Sequence, residues 1–220
     1  MKKNARDEKF THYFTNKPLK GGIDEESFSY QFQGENFIFY TASGVFSRHK
    51  IDTGSEVLIT TILNQENALK GGTILDLGCG YGPVGIVIGR FLSVERIIFA
   101  DVNERATHLA AKNIKRNGLP STITLRVDFS NQEAIAAAMG GIKFDFIAFN
   151  PPIKVGKDLI RVMVENVFGL LKSNGRLYLV IKTSLGARSW QKEFQKDETI
   201  DLKIYRKSGY RVFMLRPQGR

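Results

Sequence analysis

Residues 73–85 of this 220-residue chain, T-I-L-D-L-G-C-G-Y-G-P-V-G, decide the fold. A short apolar run reaches the acid Asp76, and glycines follow at positions 78, 80 and 82. Glycine adopts positive φ without strain and lets backbone amides approach a ligand closely. Pro83 suits the first position of a helix, where no amide donor is needed. The stretch predicts a strand, a tight turn and a helix with a nucleotide-like ligand at the turn. The alternative is an ordinary glycine-rich turn of an α/β enzyme.

Downstream of residue 72, apolar strand patterns alternate with helical patterns. We expect strands at 73–78, 96–101, 122–127, 144–149 and 176–182, helices near 83–92, 103–117, 131–139, 157–171 and 187–196, and a closing strand pair near 200–206 and 210–216. Such alternation predicts a parallel sheet with helices on both faces. The closing hairpin adds one antiparallel strand, and the fold class is a seven-stranded, Rossmann-like α/β sheet.

Upstream of the glycine turn, residues 28–32 and 37–41 alternate apolar and polar side chains, which predicts a β-hairpin. An isolated hairpin is marginal, so we expect it to pack on the main domain. After a loop over 44–54, Ser55 is expected to cap a helix running from Glu56 to about Glu66.

Two parts of the chain follow from these patterns. Residues 1–54 form an N-terminal extension that contains the hairpin, and residues 55–220 form the main α/β domain.

The net charge of +10 is concentrated in the last third of the chain. Residues 153–220 contain 15 Lys and Arg but only 6 Asp and Glu. A basic surface there favours a polyanionic partner, although it could also serve only to keep the protein soluble. The single cysteine, Cys79, excludes an internal disulfide and suits a buried turn position better than a nucleophile.

Membrane and metal signals are weak in this sequence. No apolar stretch approaches 18 residues, and the charged first residues precede no apolar signal-peptide segment. The three histidines lack metal-ligand spacing. We therefore expect a cytoplasmic protein with no metal and no membrane partner.

Two further acidic positions stand at the ends of predicted strands, at the carboxyl edge of the sheet. Asp101 ends the second strand, where an acid accepts hydrogen bonds from ribose hydroxyls in doubly wound sheets. A helix N-cap is its alternative role, but Asn103 can serve as that cap. Asp128 follows the third strand and is either a ligand-binding acid or a turn aspartate.

The fourth strand ends in Asn150-Pro151-Pro152-Ile153, the stretch that decides the chemistry. The side-chain oxygen of Asn150 and the backbone carbonyl of Pro151 can each accept one hydrogen of a planar amine. Together they orient the nitrogen and favour its pyramidal form, which directs the lone pair at an electrophile. Two adjacent prolines fix the backbone that presents these acceptors.

These motifs resemble those of the small-domain family of class I S-adenosylmethionine (SAM) methyltransferases. Residues 73–85 resemble its motif I, and the Asn-Pro-Pro stretch resembles the signature of enzymes that methylate planar nitrogens. Residues 12–18, 44–47 and 52–55 add to a resemblance that covers roughly residues 10–216. It implies SAM as cofactor and guanine N2 of small-subunit (16S) ribosomal RNA as target. Better-known relatives carry an additional N-terminal domain, so the means of positioning RNA stays open.

The resemblance also implies a set of cofactor-binding residues at the carboxyl edge: Asp76, Gly78, Cys79, Gly80, Asp101, Val102, Asp128, Phe129 and Asn150. Asp128 would accept from the adenine amine. Ile153 departs from the family pattern, since a Tyr or Phe usually stacks on the base there; Phe46 and Phe14 are candidate replacements. The departure disfavours a double-stranded DNA adenine methyltransferase.

Positive side chains are expected around the mouth of the site. We predict that Lys154, Lys157, Arg161, Lys182, Arg188 and Lys192 hold RNA phosphates. Two other classes of function stay open at this point. One is the same chemistry on adenine N6, a protein glutamine amide or a small molecule. The other is a non-catalytic RNA-binding module.

Overall fold

The computed structural model describes residues 24–218. Its strands are β1 (Glu25–Phe32), β2 (Glu35–Ala42), β3 (Lys70–Leu77), β4 (Ser93–Asp101), β5 (Thr122–Arg126), β6 (Phe144–Phe149), β7 (Leu171–Lys182), β8 (Ile200–Lys207) and β9 (Tyr210–Pro217). Its helices are α1 (Thr53–Gln65), α2 (Pro83–Phe91), α3 (Glu104–Arg116), α4 (Gln132–Met139), α5 (Lys157–Phe168) and α6 (Ala187–Phe194). Short 3₁₀ turns cover Ile153–Val155 and Thr183–Leu185.

Seven strands form one sheet in the order β5-β4-β3-β6-β7-β9-β8. Strand β9 is antiparallel to both of its neighbours, and the other six strands run parallel to one another. The strand order reverses between β3 and β6, which is the switch point where open α/β sheets bind their ligands. The predicted fold class is confirmed, including the single antiparallel strand near the sheet edge.

Each face of this sheet is covered by its own apolar core. Helices α1, α2 and α3 pack on one face together with the N-terminal hairpin, and α4, α5 and α6 pack on the other. Helix α2 lies close to β4 at Gly85. A Cβ placed on this residue would come within 2.4 Å of Phe99 Cε1, so no larger side chain fits there. Glycine at position 85 therefore permits the first turn of α2 to approach β4 directly behind the glycine turn.

The β1–β2 hairpin is attached to the main domain through Asn113 of α3 and Asn117, the C-cap residue of that helix. Asn113 Oδ1 accepts from Tyr40 N at 2.7 Å, and Asn117 Oδ1 accepts from Ile38 N at 3.1 Å. Their amide nitrogens donate back to the carbonyls of the same two residues. Phe37 and Phe39 of β2 are buried in the apolar core that the hairpin shares with the helices on that face. The hairpin therefore packs as expected, while the division of the chain at residue 54 stays a prediction.

The predicted cap of α1 is wrong. Asp52, not Ser55, is the N-cap: its Oδ1 accepts from Gly54 N at 2.9 Å and from Ser55 N at 3.2 Å. The helix consequently begins at Thr53, inside the segment for which the sequence predicts a loop. A second difference concerns α5, which ends at Phe168 because Leu171 already belongs to β7. The expectations for residues 12–18 and Phe14 lie outside the described residues.

Candidate active site

A cleft of about 1070 Å³ opens at the carboxyl ends of β3, β4 and β6. Leu77 is in register with Ala100 on one side and with Phe149 on the other. Because these three strands end in register, the residues that follow β3, β4 and β6 meet at the same edge of the sheet. The cleft is the place where the sequence predicts the functional residues to converge.

The floor of the cleft is the glycine turn. Gly78 and Gly80 have φ angles of +64° and +57°, a conformation that favours glycine. A Cβ on Gly80 would meet no atom within 4 Å, so the surface above it is open to a ligand. Cys79 N donates to Ala100 O at 3.1 Å and ties the turn to β4. Burial raises the pKa of the Cys79 thiol, which keeps it protonated and unsuited to act as a nucleophile.

Asp76 supports the turn from below. Its side chain is buried, and Oδ2 accepts from Gly85 N at 2.8 Å. Burial raises the pKa of this carboxyl to about 7, and the hydrogen bond from Gly85 opposes the shift. Asp76 thus joins the end of β3 to the first turn of α2.

Asp101 borders the cleft from the end of β4. Its Oδ2 accepts from Gly80 N at 2.9 Å, and its Oδ1 accepts from Asn103 N at 2.9 Å. Asn103 caps α3 by accepting from Arg105 N, as expected. Asp101 is nevertheless not free, because it anchors the glycine turn. Each carboxylate oxygen has a second lone pair that can accept from a ribose hydroxyl. Burial raises the pKa of Asp101.

Asp128 has the turn-building role, one of the two that the sequence left open. Its Oδ1 accepts from Ser130 N at 2.8 Å and from Ser130 Oγ at 2.6 Å, so it does build a turn. The same residue lines the cleft, as do its neighbour Phe129 and Val102. Their proposed contacts with a cofactor stay predictions.

Asn150 stands at the end of β6 with its amide group fixed. Nδ2 donates to Ser55 Oγ at 3.0 Å and lies 3.3 and 3.4 Å from the two carboxylate oxygens of Asp52. Within the described part of the chain, Oδ1 of Asn150 and the carbonyl oxygen of Pro151 accept no hydrogen bond. Both acceptors are thus available to an amine in the cleft. Pro152 and Ile153 complete this wall.

Apolar side chains border the mouth of the cleft on both sides. Phe46, at the tip of the loop after β2, is 68% exposed, and Leu185 after β7 is 51% exposed. Tyr210 also lines the cleft, and sequence reasoning missed it. Strand β9 runs antiparallel beside β7 and pairs Tyr210 with Lys182. The predicted terminal hairpin could therefore have indicated that Tyr210 reaches the cleft.

The basic residues divide into two groups. Lys154 and Lys182 are exposed and line the cleft. Lys157 and Arg161, on α5, instead pair with Glu193 of α6. The hydrogen bond from Arg161, together with Lys157, lowers the pKa of Glu193. The remaining two, Arg188 and Lys192 on α6, are exposed but lie outside the cleft lining.

Sequence reasoning also missed Asp52 and Ser55 as parts of the site. Both line the cleft beside Asn150. The sequence pattern Asp52-x-Gly54-Ser55 could have indicated them, although a loop followed by a helix cap explains the same residues. Two negative findings apply to residues 24–218: no helix is long and apolar enough to cross a membrane, and no cluster of three His, Cys, Asp or Glu suits a metal ion.

The fold and the cleft define a methyltransferase. The sequence model described as "Methyltransferase small domain" matches residues 36–214, and the chain belongs to that family. The sequence-based prediction of a SAM-dependent methyltransferase is thereby confirmed. The open glycine turn and the carboxylate of Asp101 beside it fit the ribose and amino-acid parts of this cofactor.

The known proteins that are similar to this chain match it over different shares of its length and of their own. The uncharacterized protein YbxB of Bacillus subtilis is 33% identical over 202 residues, which are 91% of this chain and 96% of that protein. Ribosomal RNA small subunit methyltransferase C of Haemophilus influenzae is 36% identical over 155 residues, or 69% of this chain. The match spans only 43% of the Haemophilus protein.

Among solved structures, a T. thermophilus 16S rRNA N2 methyltransferase, RsmC, in complex with AdoMet and guanosine superimposes with a TM-score of 0.73 at 22% identity. The superposition covers 91% of this chain and 52% of the other. At this identity the likeness concerns the fold.

Proposed function

We propose that this protein is a SAM-dependent N-methyltransferase that acts on an exocyclic amine of RNA, namely guanine N2 of small-subunit (16S) ribosomal RNA. The observation that carries the proposal is the geometry of Asn150, whose Nδ2 is bound by Ser55 and Asp52 while its Oδ1 is available. The names of the Haemophilus and Thermus relatives support RNA as the substrate class.

The residues at the end of β6 perform the orienting step of this reaction. Oδ1 of Asn150 and the carbonyl of Pro151 accept the two amine hydrogens and direct the nitrogen lone pair into the cleft. When bound, SAM supplies an electrophilic methyl group. Neither acceptor takes up a proton near neutral pH, so the proton released by the amine goes to water. Asp101 holds the cofactor's ribose and the glycine turn together.

The proposal is tested by incubating the protein with tritiated SAM and 16S ribosomal RNA, both as naked RNA and as small-subunit particles. We expect label in N2-methylguanosine after digestion to nucleosides. Label in N6-methyladenosine, in protein or in a small molecule would overturn the proposed target. RNA binding without SAM binding, measured by calorimetry, would instead establish the non-catalytic module.

Lys154 and Lys182 are the basic residues that the cleft geometry favours as RNA-binding groups. Changing both to Gln should weaken RNA binding and flatten its salt dependence, because each lysine that binds a phosphate releases counterions. For single strands, the slope of log affinity against log salt should fall by about 0.7 for each phosphate that the variant no longer binds. Fluorescence anisotropy with labelled RNA over a salt series measures both quantities, and SAM affinity should not change.

A matched control removes two lysines at the opposite edge of the sheet. Lys70 begins β3 and Lys143 precedes β6, and both are exposed. Their joint change to Gln alters net charge equally. If the two double variants shift RNA affinity and salt slope alike, the effect is due to net charge, and Lys154 and Lys182 do not bind RNA directly.

A further inference from the structure

The amide group of Asn150 is enclosed on its nitrogen side by the first turn of α1. Ser55 Oγ donates its hydrogen to Asp52 Oδ2 at 2.5 Å. Its oxygen is then left as an acceptor for Asn150 Nδ2, which lies 3.0 Å away. The Asp52 carboxylate is the second acceptor, at 3.3 Å. Because Ser55 Oγ and Asp52 Oδ2 are themselves only 2.5 Å apart, both lie on the same side of Nδ2 and share one of its N–H hydrogens.

This arrangement determines which end of the Asn150 amide faces the substrate. An ionised carboxylate only accepts hydrogen bonds. If the amide rotated by 180°, Oδ1 would face the carboxylate of Asp52 and a hydroxyl whose hydrogen is already donated. Such an orientation places Oδ1 in repulsive contact with these oxygens and removes the hydrogen bond that Nδ2 donates to them. The side chain is therefore held with Nδ2 toward α1 and Oδ1 away from it.

Hydrogen bonds and close packing keep Asp52 and Ser55 in place. Asp52 also accepts from the backbone amides of Gly54 and Ser55, which fixes its carboxylate. A Cβ on Gly54 would lie 2.9 Å from Asp52 Oδ1, 3.1 Å from Tyr210 Cε1 and 3.6 Å from Asn150 Nδ2. The glycine thus permits α1, β9 and the end of β6 to meet at this point.

We propose that Asp52 and Ser55 are positioning residues that act through Asn150, by holding its carbonyl oxygen toward the amine to be methylated. This inference rests on the proposed function, because it assigns a purpose to the orientation of Asn150. Nothing in the role requires either residue to touch the substrate. Ser55 is the cleaner probe of the two, since Asp52 also caps α1.

A double-mutant cycle between Ser55 and Asn150 tests the proposal. Ser55→Ala should lower the single-turnover methylation rate about tenfold, as expected when a transition-state partner loses one hydrogen bond. In the Asn150→Ala background the same change should have no further effect. SAM affinity and the thermal midpoint of unfolding serve as folding controls. An equal loss of rate in both backgrounds, or no loss in either, would show that Ser55 does not act through Asn150.

A second measurement does not depend on methyl transfer. In ¹⁵N-labelled protein, the Asn150 side-chain amide signals are identified by their absence in Asn150→Ala. We expect slower hydrogen exchange of these protons in the wild type than in Ser55→Ala or Asp52→Asn. Equal exchange rates in all three proteins would overturn the network itself. Slow exchange in a protein that methylates no RNA would retain the network and reject the proposed function.

Discussion

Asn150→Ala should lower the single-turnover methylation rate by about 100-fold or more while SAM affinity stays within a few-fold. The change removes Oδ1, one of the two acceptors that orient the amine, and loss of a preorganised transition-state partner has an effect of this size. The reacting nitrogen is a weak nucleophile because its lone pair is delocalised. Rapid-quench kinetics with saturating enzyme measure the rate, and calorimetry measures the affinity.

Two further variants sharpen this result. Asn174→Ala removes an exposed asparagine in the first part of β7 and should leave the rate unchanged. Asn150→Asp preserves shape but places a second carboxylate against Asp52, so it should be as slow as the alanine variant near neutral pH. If SAM binding collapses in Asn150→Ala while the chemical step survives, Asn150 is structural and the amine-orienting role is wrong.

The strand and helix order could be predicted because it depends on local patterns. The strands around Ile74, Ile98 and Phe146 are short apolar runs, and a buried parallel strand shows this pattern wherever it lies in the chain. Glycine turns and asparagine caps are also local, and Asn103 caps its helix as expected. Such features need no knowledge of distant partners.

Features that depend on distant partners could not be predicted. The hairpin is held by Asn113 and Asn117, which lie 73 and 79 residues from the backbone groups that they bind. Both have the sequence appearance of ordinary polar helix positions. Likewise, Ser55 looks like a cap because serine often is one, but the preceding Asp52 competes for the same amides and also accepts from the serine hydroxyl.

The candidate site shows the same division. Positions at strand ends, such as Asp101 and Asn150, could be placed because the carboxyl ends of parallel strands share one edge. The basic residues could not, since a sequence does not show which lysines are already paired. Glu193 lies 32 residues from Arg161 and 36 from Lys157, yet it pairs with both. The net charge of the last third of the chain therefore overstates the free positive charge at the cleft.

Asp101→Ala should weaken SAM binding by about tenfold to 150-fold. A charge-assisted hydrogen bond of this kind contributes roughly 1.5–3 kcal/mol, and the ribose hydroxyls lose their acceptor. The variant also removes the partner of Gly80 N, so the glycine turn loses its tie to the end of β4. Both effects act in the same direction on affinity, which isothermal titration calorimetry measures directly.

The matched control for Asp101 is Glu95→Ala, an equal change of charge on the same strand at an exposed position near its opposite end. It should leave SAM affinity unchanged. Asp101→Asn separates the two contributions, because an amide oxygen can still accept from one backbone N–H while the charge is lost. We expect its affinity to lie between those of the wild type and Asp101→Ala. Wild-type affinity in Asp101→Ala, with an unchanged thermal midpoint of unfolding, would refute the ribose assignment and move the cofactor's ribose to another acceptor in the cleft.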